Sequence, residues 1–392
     1  MFNKKISIIG GLGHVGLPLA FTLALKKFTV NCIDTDLDKV NKIKKSIIPF
    51  KEKGLSKLIK NQKKYKINFT DDYNLIKSSD IIFITLGTPI DEYFNPDFSN
   101  FFKNFKKILP FLKNGQIIIL RSTVFPGTSR KILNILKKKR LKVGLAFCPE
   151  RISQGNGISE LNSLPQIISA SDNKTFSLCL RIFEALKIKT IKTNFEEAEL
   201  TKLFCNAWRY LKFAIANQFY KICKSKNMNF NKIRNAMMFN YDRAKDFPKS
   251  GFAAGPCLLK DTMQLSSYSR ELFSFGHSAM LVNETLPEFL VNDLKKTNII
   301  NNTKIGILGM AFKPNNDDIR DSLAFKLKKK LEYEGAKVFC TDVYYKNKNF
   351  YSKKKILNEC KIIFIGCPHD QYKKIKFKKN IKLIDCWGFV KK

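Results

Sequence analysis

Three glycines, Gly11-x-Gly13-x-x-Gly16, follow the apolar run Ile6–Gly10 and open a helix-period segment. At this spacing Gly11 permits a tight turn, Gly13 lets backbone approach a pyrophosphate, and Gly16 lets helix and strand pack closely. The helix start then presents unpaired amides to phosphate. Asp34 closes the next strand-like run, 23 residues after Gly11. A carboxylate there binds the adenosine ribose hydroxyls and favours NAD over NADP. The predicted cofactor loop therefore comprises Gly11, Gly13, His14, Val15 and Gly16, with Asp34 behind it. His14 reads as a loop side chain beside the cofactor, since a catalytic histidine needs substrate in reach.

A second group is Gly255-Pro256-Cys257-Leu258-Leu259-Lys260-Asp261. Small residues before a cysteine allow another molecule to approach. A nearby helix start and lysine lower a thiol pKa, and a carboxylate supplies a base, so Cys257 is a candidate nucleophile. A buried structural cysteine is the competing reading. A third group lies on a long helix starting near Phe195. Lys202, Asn206 and Asn217 fall on one face at about 100° per residue, with apolar residues elsewhere. Amides beside a lysine suit a polar site lining better than a solvated face.

These groups need a frame. Strand-like runs at Ile6–Gly10, Val30–Asp34, Ile81–Leu86, Ile117–Leu120, Val143–Phe147, Gln166–Ala170 and Ile188–Ile191 alternate with helical segments. That alternation predicts a parallel sheet covered on both faces. The chain then turns helical, with one helix of about 28 residues from Phe195 and further stretches at Asn231–Phe239, Leu259–Arg270 and His277–Lys296. Strand signals return at Lys304–Leu308, Lys337–Thr341, Ile362–Gly366 and Ile381–Asp385. The fold class is α/β: two Rossmann-like parallel-sheet domains joined by a helical middle domain. The boundaries read as 1–195 for the NAD-binding domain, 196–300 for the helical domain carrying Cys257, and 301–392 for the last. The terminal domains read as two versions of one fold.

Composition narrows the class. The 392 residues include 71 Lys+Arg against 33 Asp+Glu, a net charge of +38. Such a balance invites a polyanion-binding protein. Only ten of the basic residues are Arg, and Lys is spread along the whole chain. Arg is the residue of bidentate base recognition, so no specific nucleic-acid partner is expected, although the charge favours anionic small molecules. Ten cysteines without a C-x-x-C pair exclude zinc-type spacing and fit a reducing compartment; no metal is expected. Apolar runs are too short for a membrane span. The opening Met1-Phe2-Asn3-Lys4-Lys5 lacks the pattern of a secretory signal, so a cytoplasmic location is expected. His369, in Cys367-Pro368-His369-Asp370, reads as a structural loop residue, with contact to the nucleotide the competing reading, and His277 as a helix-start residue.

The motifs also occur in a telling order. Gly11–Gly16 precedes Leu86-Gly87-Thr88-Pro89, Ser122-Thr123-Val124-Phe125-Pro126-Gly127-Thr128 and Cys148-Pro149-Glu150-Arg151. Ala198-Glu199-Leu200-Thr201-Lys202-Leu203-Phe204-Cys205-Asn206 and the Cys257 segment follow. Gly309-Met310-Ala311-Phe312-Lys313-Pro314 and Asp317-Asp318-Ile319-Arg320-Asp321-Ser322 end the series. Together they resemble the UDP-glucose/GDP-mannose dehydrogenase family of nucleotide-sugar 6-dehydrogenases.

The resemblance implies oxidation of a sugar C6 hydroxyl to a carboxylate with two NAD+, through a Cys257 thiohemiacetal and thioester. It implies that Lys202 stabilises oxyanionic character at C6, that Asn206 lies beside the reacting oxygen, and that Asp261 with Thr123 handles a proton and a water. It assigns Glu150 to thioester hydrolysis. It puts Thr88 and Thr123 near the nicotinamide, and Glu150, Arg151, Lys202, Asn206, Lys313 and Arg320 at the nucleotide sugar. Arg243 corresponds to an arginine reaching the neighbouring subunit's substrate in a homodimer built on the long helix. An acidic polysaccharide precursor is the implied product. Three features depart from the pattern: Ala253-Ala254 replaces paired glycines, Arg121 replaces an acidic residue, and Gln154 replaces a glutamate. Pro149-Glu150-Arg151…Gly155 resembles the branch acting on UDP-N-acetylmannosamine or UDP-N-acetylglucosamine, with UDP-glucose the alternative. Outside this family, a two-electron dehydrogenase without a cysteine would release one NADH per substrate, and a polyanion-binding protein would release none.

Overall fold

Continuous apolar runs become the strands of a sheet buried on both faces. The computed structural model describes residues 4–91 and 97–390, so Met1-Phe2-Asn3 of the predicted leaderless start lies outside the described residues. The chain divides into two compact units, Met1–Cys205 and Asn206–Lys392.

In the first unit, β1 (Lys5–Ile9), β2 (Thr29–Ile33), β3 (Ile67–Thr70), β4 (Ile81–Ile84), β5 (Ile117–Leu120), β6 (Gly144–Phe147), β7 (Gln166–Ala170) and β8 (Thr190–Lys192) form one sheet. Its order is β3-β2-β1-β4-β5-β6-β7-β8. All neighbours are parallel except β6 and β7, which pair antiparallel at Ala146↔Ala170 and Phe147↔Ser169. The order reverses between β1 and β4, the switch point where doubly wound sheets bind ligands. Pleating divides the core. Ile6, Ile8, Ile81, Phe83, Ile117 and Ile119 face one apolar layer, while Ile9, Ile82, Ile84, Ile118 and Leu120 face the other. Each such buried side chain contributes about 1.5–3 kcal/mol of transfer free energy.

The second unit carries a four-stranded parallel sheet, β10-β9-β11-β12, from β9 (Lys304–Leu308), β10 (Lys337–Thr341), β11 (Ile362–Ile365) and β12 (Lys382–Ile384). Its core joins Leu290, Val291, Leu294, Ile305, Ile307, Leu327 and Phe364. The long helix, Phe195–Ser225, runs 31 residues, opening with Glu196 and Glu197, as acids suit a helix start. The stretch predicted as one helix over 277–296 is two, Phe275–Glu284 and Leu286–Lys295. Pro287 sits in the first turn of the second helix, where its missing N–H costs nothing. Among the described residues no helix is long and apolar enough to cross a membrane.

Candidate active site

The glycine turn is built around Gly10 as much as its successors. Gly10 takes φ +73°, a left-handed conformation that Gly11 does not share. The turn residue is thus Gly10, and Gly11 serves packing: a Cβ there would stand 2.9 Å from Cys32 Cα. A Cβ on Gly16 would meet Gly10 O at 2.6 Å. One on Gly13 meets only Gly10 O at 3.5 Å, so that side of the turn is open, the space a pyrophosphate would take. Val15 precedes the first turn of the helix Gly16–Leu25, and His14 lies against the Phe50 ring at 4.0 Å. Asp34 is half-buried and accepts the Leu12 and Asp36 N–H groups, both at 3.1 Å. Glycines that cannot carry a side chain, an open cradle and a carboxylate behind it fit a dinucleotide.

On the same sheet edge Thr88 donates its hydroxyl to Thr123 O at 2.5 Å, joining two predicted residues. The loop after Thr123 is fixed from the long helix. Buried Glu199 accepts Gly127 N–H at 2.6 Å, Ser129 N–H at 2.8 Å and Ser129 Oγ–H at 2.6 Å. Burial raises its carboxyl pKa, and these donors oppose that rise. Sequence reasoning missed Glu199, three residues before Lys202, although an acid in the helix's first turns was visible. Lys202 is buried.

Glu150 is buried and committed. It pairs with Arg121, and its other oxygen accepts Arg151 N–H at 2.8 Å and Ile152 N–H at 3.0 Å. Arg121 is fully buried, also donates to Gln166, and lies over the Phe183 ring. Burial pushes its pKa down to about 10. The departure at Arg121 thus has a purpose: it neutralises Glu150. A carboxylate held by a cation and two amides favours its charged form and is a weak base. Arg151 is half-buried and donates to Pro165 O.

In the second unit Cys257 is exposed and stands at the N-cap of the helix Leu258–Ser269. A helix N-terminus is a place where cysteines serve as nucleophiles. Asp261 lies one turn on and is buried, its N–H donating to Cys257 O at 2.9 Å. Its carboxylate takes the Asn206 amide and pairs with Lys260, both at 2.5 Å. Arg320 grips Asp318. That contact chiefly raises the Arg320 pKa, burial opposes it, and the charges of Cys257 and Asp321 add to the rise.

The loop before Cys257 needs glycine at two places other than Ala253-Ala254. Gly251 takes φ +147° with a Cβ position 2.1 Å from the Trp387 ring, and Gly255 takes φ +99° with one 2.4 Å from Phe312. Ala253 and Ala254 do not take positive φ, so alanine is tolerated there. Asn217 clasps this loop: it accepts Gly251 N–H at 2.8 Å and donates to Gly251 O at 3.0 Å. It is therefore a strut rather than the site lining read from its helix face. Lys313 is half-buried, while Arg243 is exposed beside the Tyr241 ring.

Behind Lys313, Asp342 is buried against His369. Burial raises its pKa, but His369 and the N–H groups of Tyr344 and Met310 outweigh it, leaving about 2 against an ordinary 3.8. A lowered carboxylate pKa stabilises the fold above the unfolded value and loses that contribution as pH falls toward the folded one. The contribution should fade between about pH 4 and 2. Urea unfolding at pH 7, 4 and 2.5 checks this, with Asp342→Asn flattening the profile.

The NAD binding domain model of the UDP-glucose/GDP-mannose dehydrogenase family matches residues 4–187. The family's central domain matches 196–285 and its UDP binding domain 306–392. A UDP-N-acetyl-D-mannosamine dehydrogenase of Methanocaldococcus jannaschii is 31% identical over 394 residues, covering 97% of this chain and 89% of the relative. A UDP-glucose 6-dehydrogenase of Bacillus subtilis is 29% identical, covering 86% and 76%. The solved UDP-D-ManNAc dehydrogenase from Pyrococcus horikoshii superposes with a TM-score of 0.91 at 25% identity, covering 99% and 96%. The chain belongs to the UDP-glucose/GDP-mannose dehydrogenase family and is an NAD-dependent nucleotide-sugar dehydrogenase.

Proposed function

We propose that the chain oxidises the C6 hydroxyl of a UDP-N-acetylhexosamine to a carboxylate in two successive oxidations, with Cys257 holding the intermediate covalently. The observation that carries this is the exposed Cys257 at a helix start, one turn before buried Asp261. NAD+ bound at the glycine turn supplies the hydride acceptor. The first oxidation yields a C6 aldehyde. The Cys257 thiolate adds to its carbon, and the carbonyl oxygen takes a proton, giving a thiohemiacetal. Its oxidation leaves a thioester. Water then attacks, the C–S bond breaks, and the thiolate departs.

Lys202 is assigned to negative charge on the C6 oxygen, and Asn206 to orienting that oxygen and Asp261. Asp261, with Thr123, manages the water and its proton. Glu150, held as an anion by Arg121, orients water and substrate rather than taking a proton. Thr88 serves the nicotinamide side, and Arg151, Lys313 and Arg320 serve the nucleotide sugar. Three functional segments, 1–195, 196–300 and 301–392, follow this division of labour. A homodimer on the long helix is supported by Trp208, Ile215, Phe219 and Ile222, apolar side chains exposed along it, and would bring Arg243 to the neighbouring subunit's substrate. Cytoplasmic synthesis of an acidic glycan precursor is the matching role.

UDP-N-acetylmannosamine is the preferred substrate, on Pro149-Glu150-Arg151 with Gln154 and on relatives so named. UDP-glucose is the second reading, favoured by the Bacillus subtilis relative. A panel of UDP-N-acetylmannosamine, UDP-N-acetylglucosamine, UDP-glucose and GDP-mannose, followed by NADH absorbance, decides. The highest kcat/KM is expected with UDP-N-acetylmannosamine. A preference for UDP-glucose would transfer the chain to the second reading.

A further inference from the structure

The two Rossmann-like sheets repeat one plan and then diverge at one residue. Gly10 follows β1 and donates its N–H to Ile33 O at the end of β2; Gly309 follows β9 with φ +91° and donates to Thr341 O at the end of β10. Asp34 is the residue after Ile33, and Asp342 the residue after Thr341. Asp34 accepts Leu12 N–H. Asp342 accepts the Met310 and Ala311 N–H groups at 2.6 and 3.0 Å. Counted from the ends of β4 and β11, Thr88 and His369 hold the same place.

Thr88 turns to Thr123, and Asp34 stays half-buried. His369 instead turns in. Its ring is fully buried, with Nε2 3.0 Å from an Asp342 carboxylate that has no exposed surface. Nδ1 accepts the Asn315 N–H at 2.9 Å. A ring nitrogen accepting an amide N–H carries no proton, so Nε2 carries it and donates to Asp342. Asp342 also accepts the Tyr344 and Tyr345 N–H groups. The acidic position read as the ribose place in the first unit is filled by protein in the second. Asn315 stands at φ +57°, two residues after Lys313, and Asp370 braces it through its side-chain amide at 2.6 Å.

We propose that His369 is a positioning residue for the nucleotide sugar: it latches the loop carrying Lys313 onto Asp342 and closes the ribose place of the second unit. The latch is the Asn315 N–H···Nδ1 bond. Asp342 keeps four backbone donors without His369, so the Nε2 bond is the dispensable half. This rests on the reading of Lys313 and its neighbours as holding the UDP part.

The test is calorimetric binding of UDP to the full chain, with KM values for both substrates. His369→Asn places an oxygen where Nδ1 accepts and should bind UDP within threefold of wild type. His369→Gln places its amide toward Asp342, loses the acceptor, and should bind at least tenfold more weakly. His369→Ala should match the glutamine variant. KM for NAD+ should stay within twofold throughout, and kcat within threefold. Should the alanine variant not fold, the asparagine–glutamine contrast decides. Equal UDP affinity in those two variants, or a parallel rise in KM for NAD+, overturns the latch. If wild type binds UDP and every variant matches it, the latch alone fails. If wild type binds none, the reading beneath it fails too.

Discussion

Cys257→Ala should cut formation of the sugar acid at least about a thousandfold, since loss of a covalent nucleophile removes a reaction route rather than a contact. The fold should hold, because Cys257 is exposed and its removal empties no core. Thermal unfolding of the variant should therefore match wild type within a few degrees. NAD+ binding should also persist, since the glycine turn and Asp34 belong to the other unit. Mass spectrometry of the product with a fixed amount of NAD+ checks the prediction. Acid formed by Cys257→Ala at the wild-type rate would remove the covalent route and leave a direct oxidation of the hydrated aldehyde.

Arg121→Leu should produce the largest loss of stability. Arg121 is fully buried and pairs with buried Glu150. Removing one member of a buried pair strands the other charge, at a cost of about 3–5 kcal/mol. For a unit of this size that lowers Tm by about 10 °C. The double variant Arg121→Leu/Glu150→Leu should recover most of that stability, because paired apolar replacement removes the stranded charge. The double variant should still lose activity if Glu150 orients water for hydrolysis. Thermal unfolding of the three proteins is the measurement. A single variant as stable as wild type would mean that Glu150 takes up a proton or reaches solvent without Arg121.

Much of the frame was legible because parallel strands buried on both faces are continuous apolar runs. Gln166–Ala170 and Lys304–Leu308 begin and end in the structure where the sequence put them. β3 was missed because Ile67–Thr70 carries only two apolar residues. The antiparallel direction of β7 was not legible, because an apolar run has no direction. The helix break at Thr285 was missed for another reason: apolar periodicity runs on through a proline that the first turn accommodates.

The site divides similarly. Gly11, Gly13, Gly16 and Asp34 are close in sequence, and local rules place them. The Arg121–Glu150 pair spans 29 residues, the Asn217–Gly251 clasp 34, and the Asn206–Asp261 bond 55. Only the fold pairs them. Asp342 had a usable signal: it ends a second strand as Asp34 does, and that likeness could have tied it to His369.

A four-electron oxidation with a covalent intermediate on Cys257 fixes the stoichiometry of the reaction. Its most direct measurement is the count of NADH released per nucleotide sugar consumed, taken to the endpoint with NAD+ in excess. Two are expected. One NADH per sugar, with an aldehyde left in solution, would contradict it and leave a simple alcohol dehydrogenase on the same frame.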